Sequence, residues 1–327
     1  MPKIMFRCDS SKLTGTGHVT RCFALAEIFA HNGWDVVFCG EFEEPNWILK
    51  LLNKPNYLKM EKVDVALKNQ VKYDVVVFDS YYFDPNEQNS IAKFGKFIVS
   101  IVDEVSEKIN ANLYISSLPL EYLKHFYNVN NYLFGPEFAL VRTEFLDFKK
   151  NIIHSSEKNY RPRVGIFSGG VAKRELFKIL LPQITPTLKG CDLKLFANKE
   201  EIPAYLLDSN HSSVIAPSFS FYEHLTDVDF VIATASVSSW EFLCMDIPLL
   251  VYGIYENQRY TYEFLKTNKY ADTIGFTDDY RNLKIDQKAL NISLNKTLEK
   301  ELQFGKQKRL VDGLGANRIY HEILKLI

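Results

Sequence analysis

The chain has 327 residues, 46% of them hydrophobic and 24% charged, and a formal net charge of −1 from 39 basic and 40 acidic side chains. That balance argues against nucleic acid or a membrane surface as the main partner. The length exceeds the usual span of one hydrophobic core, so two domains are expected. The five cysteines, Cys8, Cys22, Cys39, Cys191 and Cys244, are widely spaced and form no C-x-x-C pair. Their pattern points to reduced thiols in a cytoplasmic protein and away from structural zinc. Charges at Lys3, Arg7 and Asp9 interrupt any signal-peptide pattern, and no apolar run approaches a membrane span, so no stable membrane insertion is expected.

The chain opens with a short apolar run at 3–6, predicted to be a strand. Ala24, Leu25, Ile28 and Phe29 recur at helical spacing, which predicts a helix over about 18–31. Between them lies R-C-D-S-S-K-L-T-G-T-G-H-V-T-R at 7–21. Gly15 and Gly17 remove β-carbons where the backbone must turn tightly or admit a ligand. A loop that opens a helix aims backbone N–H groups at whatever sits above it, which suits an anion. A G-x-G alone equally fits a plain strand-to-helix turn. The company is more informative: Arg7, Asp9, Ser10, His18 and Arg21 gather at a strand's C-terminal end, where open α/β sheets bind ligands. His18 can take or release a proton near neutral pH, and Asp9 is the candidate to orient it. A helix cap or a surface imidazole is the alternative for His18. Cys8 reads as a small apolar packing residue.

Strands follow at 35–40 and 73–78, with short helices at 47–52 and 64–71 and Gly33 as a helix C-cap. The run Y-D-V-V-V-F at 73–78 has the look of a strand buried on both faces. It ends at Asp79, Ser80 and Tyr81, read either as substrate contacts, Tyr81 foremost, or as a helix cap. Another strand at 97–102 ends on Asp103 and Glu104, and one more covers 112–116. The polar stretch 149–161 reads as a linker. The pattern then restarts with a strand at 163–168, Gly169-Gly170, and a helix at 176–181. Strands at 192–197, 213–216, 229–233 and 248–253 follow, with helices at 221–225, 262–265, 286–303 and at the end of the chain. After the 229–233 strand come Thr234, Ser236, Ser238, Ser239 and Glu241. Small hydroxyl residues there can approach a phosphate, aided by the helix N-terminus. Glu241 can accept from both ribose hydroxyls, or Ser238 and Glu241 can simply cap the helix and favour its first turn.

Several segments in order carry a family resemblance: G-T-G-H-V-T-R-C near the start, F-D-S-Y at 78–81, V-D-E at 102–104 and F-A-L-V-R-T-E-F at 138–145. They continue with S-G-G at 168–170, A-S-V-S-S-W-E at 235–241, E-N-Q at 256–258 and V-D-G-L-G-A-N-R-I at 311–319. The chain resembles the UDP-2,4-diacetamido-2,4,6-trideoxy-β-L-altropyranose hydrolases of pseudaminic acid biosynthesis (the PseG type) and their spore-coat polysaccharide relatives. Behind them stands the MurG-like branch of the GT-B glycosyltransferases. The resemblance implies an α/β, GT-B-like fold of two Rossmann-like domains facing across a cleft. The N-terminal catalytic domain would be 1–150 and the C-terminal nucleotide-binding domain 151–327. The last helix is counted with the second domain, its packing back towards the first left open.

The implied reaction is attack of water at the anomeric carbon of a UDP-activated deoxyamino sugar, with no metal and no cofactor. The family's catalytic histidine falls on His18, with Asp9 positioning it. Arg7, Ser10, Gly17, Arg21, Tyr81, Asn257 and Gln258 would line the substrate. Gly169, Gly170, Ser236, Ser238 and Ser239 would hold the diphosphate, and Glu241 the ribose. One departure stands out: Val171-Ala172-Lys173-Arg174 replaces the family's short polar residue, aspartate and asparagine after the glycine pair. V-D-E also replaces the commoner D-D. A glycosyltransferase on the same scaffold, and a non-catalytic nucleotide-sugar binding protein, are the alternatives. The partner in each case is a small-molecule nucleotide-sugar. The sequence leaves the oligomeric state open.

Overall fold

The computed structural model of the chain describes residues 1–11, 15–42, 46–53, 58–81, 84–103, 109–124, 130–152, 161–169, 174–298 and 310–327. The described residues divide into two compact units, Met1–Thr143 with Val311–Ile327, and Glu144–Leu310. The division falls at 143/144, seven residues before the sequence-based boundary, and the chain's last helix belongs to the first unit. Glu104, Gly170 and Val171-Ala172-Lys173 lie outside the described residues, as does most of the 149–161 linker.

In the first unit the strands are β1 (Lys3–Cys8), β2 (Asp35–Cys39), β3 (Leu58–Glu61), β4 (Tyr73–Asp79), β5 (Gly95–Ile101), β6 (Leu113–Ser116) and β7 (Tyr132–Phe134). They form a parallel sheet in the order β3-β2-β1-β4-β5-β6-β7. The order reverses between β1 and β4, and open α/β sheets bind ligands beyond the C-terminal ends at such a reversal. Val75, Val76, Val77 and Phe78 of β4 are all fully buried, which is why that strand reads as a continuous β-branched run rather than an alternating one. The two edge strands, β3 and β7, are not apparent in the sequence. L-K-M-E and Y-L-F are short and largely half-exposed, so burial does not write a pattern into them.

Helix α1 (Gly17–His31) follows β1 and is buried along almost its whole length. Residues of one sheet alternate between faces. Met5, Val76 and Phe78 face a cluster with Val63, Ile91 and Phe94. Cys8 and Asp79, which are in register, face the other way, towards Cys22 of α1. Gly33 has φ +81° and ends the helix, a conformation that a β-carbon would penalise.

The C-terminal helix Gly315–Leu326 packs on α1, with the Tyr320 ring edge-on to Phe29 at 5.0 Å. Its start explains the V-D-G-L-G-A-N-R-I segment. Asp312 accepts from the Leu314 amide at 2.9 Å and pairs with Arg318, whose Nη1 also donates to the Glu137 carbonyl at 2.9 Å. A β-carbon on Gly315 would collide with the carbonyl oxygen of Ala139. The segment therefore fastens the helix to the end of the first unit.

The second unit repeats the plan with β8 (Arg163–Phe167), β9 (Asp192–Phe196), β10 (Ser212–Ile215), β11 (Phe230–Thr234), β12 (Leu249–Gly253) and β13 (Asp272–Phe276). All neighbours are parallel, in the order β10-β9-β8-β11-β12-β13, and the reversal lies between β8 and β11. Its core includes Val164, Ile166, Leu180, Leu195, Ile232, Leu250 and Ile274. No helix among the described residues is long and apolar enough to cross a membrane.

Candidate active site

At the reversal point of the first sheet, five side chains from three segments meet. His18 stands in the first turn of α1, 3% exposed. Its Nδ1 lies 2.6 Å from Oδ1 of Asp79, the last residue of β4. Arg21, one helical turn along, donates from Nε to Asp79 Oδ2 and from Nη2 to Asp79 Oδ1, both at 2.6 Å. The third nitrogen, Nη1, donates to Asp103 Oδ2 at 2.8 Å. Tyr81 donates its hydroxyl to the same Asp103 oxygen at 3.0 Å, and its ring meets the His18 ring edge-on with centroids 4.4 Å apart. The spacing of His18, Arg21 and Cys22 on one helical face (i, i+3, i+4) delivers all three to one carboxylate. The Cys22 thiol reaches Asp79 Oδ2 at 3.6 Å.

Burial would raise the pKa of Asp79, but Arg21 and His18 outweigh it and hold the carboxyl below its ordinary value. Burial likewise works against the charge on Arg21, yet Asp103 and Asp79 push its pKa well up. Asp79 is therefore an ionised, acceptor-only group at neutral pH. The ring nitrogen facing it carries the proton. In the neutral imidazole, Nε2 is left with the lone pair. That is the tautomer a general base needs.

Asp9 does not hold His18. It accepts from Arg7 Nη1 at 2.6 Å and from the Glu41 amide at 2.8 Å. The reason is strand alternation. Arg7 is in register with Phe78, so it leaves the sheet on the face opposite Cys8 and Asp79. There it also pairs with Glu87, at 2.9 Å from Nε and 2.7 Å from Nη2. The Arg7–Asp9–Glu87 group is thus distinct from the His18 group, although both start in one short stretch. Ser10 is fully buried; its amide donates to the Glu41 carbonyl at 3.0 Å, and its hydroxyl has no hydrogen-bond partner among the described residues. Gly15 has φ +79°, and Gly17 opens the helix. Asp79 is not a helix cap either. Asp84 caps the next helix, Pro85–Ala92, accepting from the Asn86 and Glu87 amides.

The second unit carries a different cluster of side chains at its own reversal point. Ser168 follows β8 with its hydroxyl buried and lacking a hydrogen-bond partner among the described residues. Gly169 has φ +84°, and a β-carbon there would sit 3.1 Å from the Thr234 hydroxyl. Thr234, at the end of β11, continues a hydroxyl chain: Thr234 to Ser236 at 3.1 Å and Ser236 to Ser238 at 3.0 Å. Ser236, rather than Ser238, is the N-cap of the helix Val237–Cys244. Ser239 is committed to structure: its hydroxyl donates to the Thr234 carbonyl at 3.0 Å and accepts from the Ser236 amide at 3.3 Å. Glu241 is buried in the second turn. On the rim beyond β12, Gln258 accepts from the Ile254 amide at 2.9 Å, and Asn257 has a buried side-chain oxygen with no hydrogen-bond partner among the described residues.

No family model matches the chain. The uncharacterized protein MJ1062 of Methanocaldococcus jannaschii is 23% identical over 281 residues, 80% of this chain and 57% of that protein. The chain thus spans a little over half the length of the curated relative it matches. Among solved structures, MurG of Acinetobacter baumannii superposes with a TM-score of 0.66 and 13% identity, covering 99% of this chain and 100% of that one. The S. aureus MnaA–UDP structure gives 0.62 and 11%, with 100% and 98% covered. Arabidopsis thaliana UGT89C1 complexed with UDP gives 0.63 and 10%, with 99% of each covered. The fold is GT-B-like. Both Rossmann-like halves of that fold are present, each with one reversal of strand order.

The sequence marks Asp79 and Asp103 as strand-end acids but does not join them to His18 and Arg21. The signal for Asp79 is a charged residue closing a strand buried on both faces. Glu87 offers none, since it sits on a short, mostly polar helix whose place depends on the tertiary fold.

Proposed function

We propose that the protein hydrolyses a nucleotide-activated sugar, of the UDP-deoxyamino-sugar class that the sequence resemblance implies, releasing UDP and the free sugar. The observation that carries this reading is the Asp79–His18 contact at 2.6 Å, with Asp79 fixed by Arg21. Nε2 of His18 takes a proton from water as the water oxygen bonds to the anomeric carbon. The bond from that carbon to the diphosphate oxygen breaks, and the electron pair leaves with UDP. Asp79 stabilises the imidazolium formed in this step, as a carboxylate-oriented base does elsewhere. Tyr81, beside the imidazole, lines the sugar site.

The diphosphate is assigned to the second unit. Ser168, Gly169, the Thr234–Ser236–Ser238 hydroxyl chain and the N-terminus of the Val237–Cys244 helix suit an anion. Glu241 is assigned to the ribose, and Asn257 and Gln258 to the substrate. Two of the similar solved structures hold UDP, which supports that nucleotide. The five free, buried cysteines support a cytoplasmic setting.

The second reading is transfer of the sugar to an acceptor hydroxyl, with His18 removing the acceptor's proton. The match to MurG along the whole chain favours it. One experiment separates the two. Proton NMR follows UDP-2,4-diacetamido-2,4,6-trideoxy-β-L-altropyranose with the protein and no acceptor. Release of UDP and free sugar, lost in His18→Ala, is the expected result. An unchanged substrate in the presence of measurable UDP binding overturns hydrolysis of this sugar.

A further inference from the structure

Arg21 is shared between two carboxylates, and only one of them touches His18. Asp79 takes two of its donors and Asp103 the third. The charged and titratable groups around the His18 ring, among the described residues, come from every neighbouring element. Arg21 and Cys22 stand on α1, with Cys8 of β1 beside Cys22. Asp79 ends β4 and Tyr81 follows it, and Asp103 lies beyond β5. Arg21, Asp79 and Asp103 together carry one negative charge while His18 is neutral. With the ring protonated, the group of four is neutral. Removing the Asp103 charge therefore changes the net charge held beside the ring.

We propose that Asp103 is a positioning residue for the base: by taking the third donor of Arg21, it leaves Asp79 less neutralised and so strengthens the affinity of His18 for a proton. This role rests on the reading of His18 as the base, but it is a property of the resting protein and does not require turnover. Tyr81 moderates it. Its hydroxyl donates to the same Asp103 oxygen that Arg21 uses, drawing off part of the Asp103 charge.

The opposed signs make the proposal testable. The protein labelled with 15N-histidine is titrated by NMR, the His18 signal being assigned by its loss in His18→Ala. Asp103→Asn should lower the protonation midpoint of His18 by about one pH unit. Asp103→Glu should restore it to within about 0.3 unit, and Tyr81→Phe, which keeps the ring but frees the Asp103 oxygen, should raise it by a few tenths, about 0.3. The acid limb of the rate–pH profile should move in the same three directions. A folded Asp103→Asn protein with an unmoved midpoint overturns the proposal. So does a midpoint that is unmoved or lowered in Tyr81→Phe, the variant that serves if Asp103→Asn does not fold. Loss of turnover with the NMR shifts intact would instead count against the hydrolase reading alone.

Discussion

His18 Nδ1 and Asp79 Oδ1 lie 2.6 Å apart although 61 residues separate them in the chain. Two parallel strands make the meeting possible: β1 delivers the helix that carries His18, and β4, its hydrogen-bonded neighbour, ends on Asp79. If this pair works as an oriented base, replacing His18 by Ala should lower kcat by about 100-fold or more, with UDP affinity unchanged. Steady-state kinetics alongside calorimetric UDP titration checks both halves.

Asp79 is more than an orienting group. It accepts from His18, twice from Arg21, and weakly from Cys22, all inside the first unit. Asp79→Ala would leave the buried Arg21 with a carboxylate, among the described residues, only at Asp103. Breaking a buried ion pair in this way costs about 3–5 kcal/mol. Urea unfolding should show the first unit losing stability of that order, with the second unit's transition unmoved.

The pKa of Asp79 is depressed in the folded protein, and that fixes the direction of the acid response. The stabilisation from such a group is present above its unfolded value, 3.8, and is lost as pH falls through the lower folded value. Asp312, held low chiefly by its bond from Arg318, acts in the same direction within the same unit. The melting temperature of the first unit should fall steeply below about pH 4. A melting temperature that holds or rises below about pH 4 would contradict the arrangement.

Gly169 is the position where a single methyl should report on the second site. Two things oppose alanine there: a φ of +84°, and the Thr234 hydroxyl only 3.1 Å from where the new β-carbon would stand. Gly169→Ala should cost about 1 kcal/mol of stability. If the diphosphate sits against this loop, UDP affinity should fall by about 10-fold or more, by the arithmetic of about 1.4 kcal/mol per decade. Isothermal titration with UDP makes the comparison.

Gly315 tests a purely structural claim. Its missing β-carbon lets the C-terminal helix start against the carbonyl of Ala139. Gly315→Ala should destabilise the first unit by about 1–3 kcal/mol through forced displacement of the backbone. Hydrogen exchange should then quicken in α1 and in Gly315–Leu326 before it does elsewhere.

What can be read from the sequence follows the physics of burial. Val75 to Phe78 announces β4 because both faces are covered, and α1 announces itself by its apolar spacing. The tandem of two βα halves is legible from the strand–glycine–helix pattern appearing twice, while the GT-B-like character comes from the family resemblance. The strand β13 is not, because D-T-I-G-F is a half-exposed edge strand with only Ile274 fully buried. His18, Arg21 and Tyr81 are legible as candidates, but their meeting with Asp79 and Asp103 is not. Arg7 and Asp9 are close to His18 in sequence, yet strand alternation sends Arg7 to the opposite face. Asp79 is distant in sequence, yet register brings it to the imidazole. Linear proximity carries no information about which face of a sheet a residue serves.

The fastening of Gly315–Leu326 onto α1 has a consequence for synthesis. The first unit is discontinuous, interrupted by residues 144–310. A ribosome must therefore finish the whole second unit before the segment that covers Phe29 exists. During that interval the outer side of α1 stands open to water or to a chaperone, while the second unit, continuous in sequence, has all it needs to fold. The first unit is completed only after the second.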